Sequence, residues 1–327
     1  MITVTRLADL PALDAPLHLA LGVFDGVHIG HQAVIGRAVD AARREGGLAG
    51  VLTFDPHPIR VIAPAKAPSS LLATLGHKAR IVGELGAELL IPLCFDQELA
   101  AMEASRFLDL LLNSPVRTIA VGEDWRFGKG RQGDVELLQS RAETSGFRLE
   151  AVPPVMVDGE RVSSTRIRQA IRDGNLSAAA ALLGRPYSVC GPVIHGRQLG
   201  RTIGFPTANL STGDAQLPPD GVWAVTALLP DGTIRQGVAN LGVRPTVNGG
   251  PRSLEVHLFD FSEEIYGEEL EISFVDFLRP EKKFADFPTL HRQIEADAAR
   301  AREIHRALGK APGVLDTFKC SYKQKFL

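Results

Sequence analysis

A strong charge of either sign is missing from this 327-residue chain: 36 lysines and arginines stand against 38 aspartates and glutamates, a formal net charge of −2. Without a basic excess the chain is not expected to neutralise long runs of phosphate, which argues against a nucleic-acid partner. Cysteine is scarce too. Cys94, Cys190 and Cys320 are widely separated and make no CxxC pair, so neither zinc spacing nor a disulfide framework is expected, and a reducing cytoplasmic setting fits. No apolar run approaches the ~18 residues of a membrane span, and the opening MITVTRLADL has no basic segment leading into an apolar one. The expectation is a soluble, untargeted chain with no membrane partner. Repeats and low-complexity tracts are lacking as well.

What remains is a composition of 45% hydrophobic and 23% charged residues, that of a folded globular chain. A single core rarely grows beyond roughly 250 to 300 residues, so two domains are expected. From Leu17 to about Val157, strand-length apolar runs (LHLALGVF, GVLTF, ELLIPLCF, RTIAVG, FRLEAVPPV) alternate with helix-period segments, the pattern of βαβ units around a parallel sheet. Two short helices are expected over residues 163 to 183. After GRPYSV the rhythm changes to alternating strands with turns, including a Pro-Asp-Gly hairpin signal at 230 to 232, which reads as a small antiparallel barrel closed by a helix near 288 to 308. The boundary falls near Gly184 to Pro186, giving domains 1–184 and 185–327. The tail APGVLDTFKCSYKQKFL reads as a frayed terminus.

The first site begins with GVFDGVHIGHQ at residues 22 to 32. A strand running into a glycine-bearing turn and then a helix collects backbone N–H groups and a helix dipole at one point, where anions bind. Gly30 allows a phosphate close to the backbone, and His28 and His31 can both donate to phosphate oxygens as charge builds during attack at an α-phosphate. The letters HIGH also occur in class I aminoacyl-tRNA synthetases, but this chain is short and has neither a KMSKS-like loop nor an apparent anticodon-binding region. Instead RVSSTRIR at 161 to 168 offers hydroxyls and arginines at a helix start, a second phosphate clamp.

The second site centres on GRQLGRTIGFPTANL, residues 196 to 210. Gly196, Gly200 and Gly204 permit a loop over phosphates, and Arg197 or Arg201 can meet their charge. Thr207 and Asn209, two apart on an extended segment, share a face, and their oxygens can help hold one Mg2+ together with ATP oxygens. In SLEVHLFDF, alternation sends Leu254, Val256 and Leu258 one way and Glu255 and His257 the other. Spacing leaves Glu255 and Glu271 as equal candidates for a catalytic carboxylate.

GVFDGVHIGH, TFDPHP, VGEDWRFG and VSSTRIR, in that order, resemble the adenylyltransferase module of the bacterial bifunctional riboflavin kinase and FAD synthetase family, and GRTIGFPTANL with GVANLGVRPTV resembles its kinase module. The resemblance implies a Rossmann-like α/β nucleotidyltransferase domain followed by a β-barrel kinase domain with a C-terminal helix. It implies ATP and Mg2+ in both sites, with riboflavin, FMN and FAD as substrates and products. Carried onto this chain, it makes Gly22, Phe24, Asp25, His28, Gly30 and His31 the ATP loop, with Ser164, Thr165 and Arg168 as its partners. Phe54, Pro56, His57 and Pro58 then line a flavin pocket with Asp124, Trp125 and Phe127. In the kinase module it makes the glycines, Arg197, Arg201 and Pro206 ATP binders, Asn240, Arg244 and Thr246 flavin binders, and Glu255 the base. Two rivals remain on the sequence: another nucleotidyltransferase with a non-catalytic barrel, and a non-enzymatic flavin- or RNA-binding protein. PTAN with Glu255 speaks against the first; neutral charge and intact His28, His31, Thr207 and Asn209 speak against the second. Oligomeric state stays open, a homo-oligomer included.

Overall fold

The computed structural model describes residues 1–196, 204–243 and 252–310. Arg197, Gly200, Arg201, Arg244, Thr246 and the tail from residue 311 lie outside them. The described chain forms two compact units, one of Met1–Leu71 with Leu75–Ser164, the other of Leu72–Thr74 with the chain from Thr165 onward.

The first unit is built on a six-stranded sheet of β1 (Ile2–Thr3), β2 (Leu17–Leu21), β3 (Leu48–Asp55), β4 (Leu89–Cys94), β5 (Val116–Gly122) and β6 (Arg148–Val152). Its order is β1-β4-β3-β2-β5-β6 and every pair is parallel. All five residues of β2 are buried, as expected for a central strand covered on both faces. His18 survives there because its ring is satisfied: Nε2–H donates to the Gly46 carbonyl at 3.0 Å, which leaves Nδ1 to accept from the Thr118 hydroxyl at 2.9 Å. The connecting helices are α1 (Ile29–Glu45), α2 (Pro58–Ile62), α3 (Leu75–Glu84), α4 (Gln97–Ala101), α5 (Ala104–Leu112) and α6 (Val135–Ser145). Asp134 caps α6 by accepting from Leu137 N–H, and Gly146 ends it in the left-handed conformation.

A two-stranded hairpin, β7 (Met156–Val157) and β8 (Glu160–Arg161), leads to α7 (Ser164–Arg172) and α8 (Leu176–Leu183). The compact units divide between Ser164 and Thr165, so both helices group with the barrel.

The barrel strands are β9 (Ser188–Ile194), β10 (Ala208–Leu210), β11 (Gly221–Leu228), β12 (Ile234–Val243), β13 (Arg252–Leu258) and β14 (Glu269–Arg279), closed in the order β10-β13-β12-β11-β14-β9. Closure leaves no unpaired edge. The Pro-Asp-Gly signal forms the β11–β12 turn: Gly232 has φ +84°, and the Asp231 carboxylate accepts from both the N–H and the hydroxyl of Thr233. Leu254, Val256 and Leu258 of β13 face the interior, so Glu255 and His257 face outward. The helix α9 (Phe287–Lys310) packs on that outer face, where Ala298 and Ala301 meet Val222, Ala224 and Val238.

Candidate functional sites

In the parallel sheet the chain runs from β2 to β3 and β4 on one side and to β5 and β6 on the other, so the strand order reverses between β2 and β5. Crevices at the carboxyl ends of such strands are where open α/β sheets hold ligands. The loop after β2 and the loop after β5 are the stretches carrying GVFDGVH and EDWRFG.

The first of these loops is tightly determined. Phe24 and Val27 adopt φ +50° and +42°, a region that costs a side-chain-bearing residue about 1 to 2 kcal/mol. Phe24 is held there by burial, its ring standing edge-on to His31 at 5.3 Å. Gly22 is required beneath it, since a Cβ there would come within 2.9 Å of that ring. His28 caps α1: its Nδ1 accepts from the His31 N–H at 3.2 Å, and the two imidazoles stack at 3.5 Å and 16°. An accepting Nδ1 places the ring proton of His28 on Nε2. Gly30 gives that ring room, as a Cβ would lie 3.2 Å from it. Asp25 is buried, and its backbone carbonyl accepts from the Ser164 hydroxyl at 3.0 Å, 139 residues away in the chain. Thr165 is exposed and Arg168 buried on α7, in the second compact unit.

The residues expected around a flavin ring divide by environment. Phe54 is half-buried at the end of β3, edge-on to Phe95 at 5.5 Å. Pro56 is exposed, and His57 caps α2 by accepting from Ile59 N–H, with Pro58 at the first helical position. Phe127 lies in the core with Phe107 and Leu138, and the half-buried Trp125 stacks on it at 4.4 Å. Asp124 is exposed and ion-paired with Arg161 at 2.7 Å.

In the barrel a cavity of about 330 Å³ opens between β12, β13 and α9, lined among others by Thr207, Asn240, Glu255, His257 and Arg279. Register explains the set. Asn209 of β10 pairs with Glu255 of β13, which pairs with Asn240 of β12, so the three side chains form one row on one face. Asn240 is therefore a strand residue, and β12 continues to Val243, where Leu254, Ser253 and Arg252 supply its ladder. Glu271 lies elsewhere, on β14, accepting from the Ser188 hydroxyl at 2.5 Å. Arg279 forks onto Asp297 of α9 and fastens the helix that walls the cavity. A second cavity of about 390 Å³ is lined by Pro206, Thr207, Val256, Phe261, Glu263 and Tyr266. Thr207 belongs to both walls.

Two residues outside the expected site set emerge. His257 Nδ1–H donates to the Pro206 carbonyl at 2.8 Å and pins the turn that presents Thr207; the alternation of SLEVHLFDF already puts it beside Glu255. Lys78 is buried beneath the first loop, and its signal in the sequence is a lysine on an apolar stripe, three and four residues before Ile81 and Val82.

Magnesium fits the barrel site by donor chemistry. The hydroxyl of Thr207 and the amide oxygen of Asn209 are hard oxygen ligands, and the described residues hold no cluster of three His, Cys, Asp or Glu that would cage the ion without nucleotide oxygens.

Two separate constellations, one at the switch point of a parallel sheet and one on the outer face of a closed barrel, define a two-site nucleotide-dependent transferase. The comparisons give it a family. Residues 11–166 match the FAD synthetase family and residues 183–305 the riboflavin kinase family. The bifunctional riboflavin kinase/FMN adenylyltransferase of Escherichia coli (strain K12) is 40% identical over 288 residues, 88% of this chain and 92% of that protein. The protein of the same name from Bacillus subtilis (strain 168) is 37% identical over 289 residues, 86% and 90% of the two chains. A crystal structure described as a macrolide-efflux protein from Streptococcus pneumoniae superposes with a TM-score of 0.77 at 32% identity, covering 92% of this chain and 99% of that one. The chain belongs to the bacterial bifunctional riboflavin kinase/FAD synthetase family. Among its described residues no helix is long and apolar enough to cross a membrane.

Proposed function

We propose that the two constellations divide the family's two reactions between them. The chain is an enzyme that phosphorylates riboflavin to FMN and joins FMN to the adenylyl group of ATP, forming FAD and releasing pyrophosphate. The observation that supports the kinase assignment is Thr207 on the walls of both barrel cavities, with Glu255 on only one. In-line transfer needs the attacking hydroxyl and the γ-phosphate to meet across a shared boundary. Riboflavin then occupies the cavity against α9, where Asn240 offers hydrogen bonds and Glu255 accepts the proton of the 5′-hydroxyl. ATP occupies the cavity lined by Phe261 and Tyr266, its phosphates reaching Thr207. Thr207 and Asn209 would hold magnesium, which when bound would neutralise phosphate charge there.

For adenylyl transfer, His28 and His31 donate to the α-phosphate as its charge grows, with the α1 N-terminus behind them. Phe54, His57 and Trp125 bound the flavin end. Ser164 acts on that loop through Asp25. The kinase domain begins at residue 185, and the protein works in the cytoplasm, a reading supported by its three scattered cysteines. Incubation with riboflavin, ATP and Mg2+ followed by separation of the flavins should show FMN and then FAD. A fragment from residue 185 onward should make FMN alone; a folded fragment without kinase activity contradicts the division.

A further inference from the structure

Beneath the GVFDGVH loop lies a cation that no motif accounts for. Lys78 of α3 is 6% exposed, and its ammonium donates to the Val23 carbonyl at 2.8 Å and to the Thr53 hydroxyl at 3.0 Å. The Thr53 hydroxyl in turn donates to the same Val23 carbonyl at 2.8 Å, closing a triangle between the ends of β2 and β3. The carboxylates of Asp25 and Asp55 favour its charged form and burial opposes it more strongly, so the amine titrates at about 8 rather than 10.5.

Val23 is the first of three alternate carbonyls in this loop, each held by a side chain from a different helix. Lys78 of α3 holds Val23, Ser164 of α7 holds Asp25 at 3.0 Å, and Gln32 of α1 holds Val27 at 2.9 Å. In a trans peptide the carbonyl and the following N–H point opposite ways, so fixing carbonyls 23, 25 and 27 fixes the direction of amides 24, 26 and 28. These amides frame the entry to α1 and its two histidines. Two residues of the loop, Phe24 and Val27, hold positive φ and need such restraint.

We propose that Lys78 is a positioning residue for adenylyl transfer, its ammonium holding the Val23 peptide so that the amides and histidines of the loop meet the α-phosphate in fixed directions. The proposal rests on the assignment of adenylyl transfer to this loop. It makes the reaction depend on the charge of a group that touches neither substrate.

The test uses the full chain. Parent protein that forms no FAD from FMN and ATP defeats the functional assignment itself. Given that activity, Lys78→Met should lower kcat for FAD formation by ~10- to 100-fold, the size of a small misplacement of reacting groups. The KM for FMN should change less, and riboflavin phosphorylation by the same sample should stay within about twofold, reporting a folded chain. FAD formation within twofold of the parent overturns the proposal. Should Lys78→Met fail to fold, the pH profile decides: parent kcat for FAD formation should fall on a limb near pH 8, and Thr53→Val, which removes one acceptor from the ammonium, should move that limb to lower pH. A parent profile flat to pH 9.5, or superimposable parent and Thr53→Val limbs, overturns it equally.

Discussion

Asn209 and Glu255 stand directly opposite each other on β10 and β13, in register, with their side chains on the same face of the barrel. A neutral oxygen ligand and a carboxylate are thus set side by side, one suited to a phosphate-bound cation and the other to a hydroxyl proton.

Glu255→Gln keeps the size and reach of that side chain and removes its basicity. Riboflavin phosphorylation should fall by ~10² to 10⁴, the usual loss for a positioned general base, while FAD formation from supplied FMN continues near the parent rate. Glu271→Gln, which alters the contact of β14 with Ser188 of β9, should spare both reactions. Single-turnover kinase chemistry in the two variants checks this; the reverse pattern would assign the base to Glu271.

Gly196→Ala tests the ligand side of the row. A Cβ at Gly196 would lie 2.2 Å from the Asn209 amide nitrogen, so that side chain must move. Overpacking of this kind costs ~1 to 3 kcal/mol where the neighbour can yield. Kinase activity should drop, with a raised Mg2+ requirement, and adenylyl transfer should be untouched. Magnesium titration of initial rates in parent and variant provides the comparison.

His28→Ala removes a helix cap, a stacked ring and a phosphate donor together. FAD formation should fall by ~10² to 10³, as for loss of one transition-state donor, and stability by about 1 kcal/mol for the cap. His31→Ala should show the same kinetic loss with the cap acceptor still in place. Kinase rates measured on the same preparations should match the parent; a parallel loss of both activities in folded protein would refute the separation of sites.

His305 predicts a pH dependence of stability. It sits on α9 against the barrel, with Nε2 at 3.4 Å from the Gly237 carbonyl, and burial lowers its pKa below the ordinary 6.5. Above pH 6.5 the ring is neutral whether folded or unfolded, and its contribution is fully present. As pH falls below 6.5 the unfolded chain takes up a proton that the folded barrel resists, so stability is lost until the folded pKa is reached. Urea midpoints of the barrel transition between pH 8 and 5 should fall, and His305→Gln should flatten that slope.

Periodicity exposes much of this in the sequence, because burial leaves a mark every second residue in a strand and every third or fourth in a helix. The alternation of SLEVHLFDF separates Leu254, Val256 and Leu258 from Glu255 and His257, and the apolar run LHLAL marks β2 as central. Pairing register leaves no such mark. Asn240 joins the Glu255 row through hydrogen bonds between β12 and β13, and only the ladder shows that it is a strand residue. Lys78 is harder still to read, since its partner Val23 lies 55 residues away and is a carbonyl, which every residue possesses. Trp125 and Phe127 show the converse limit: two aromatics in one motif look alike in the sequence, yet one is half-buried and the other belongs to the core.

On the proposed assignment of flavin and nucleotide to the two cavities, the position of Thr207 on both walls couples the ligands that fill them. A molecule in either cavity that shifts the hydroxyl, or is stabilised by it, changes the free energy of the other bound state through one shared group. Linkage makes that effect symmetric: the factor by which bound nucleotide alters flavin affinity equals the factor by which bound flavin alters nucleotide affinity. On that assignment, order of addition in this barrel is a kinetic matter, while the two equilibria share a single coupling constant.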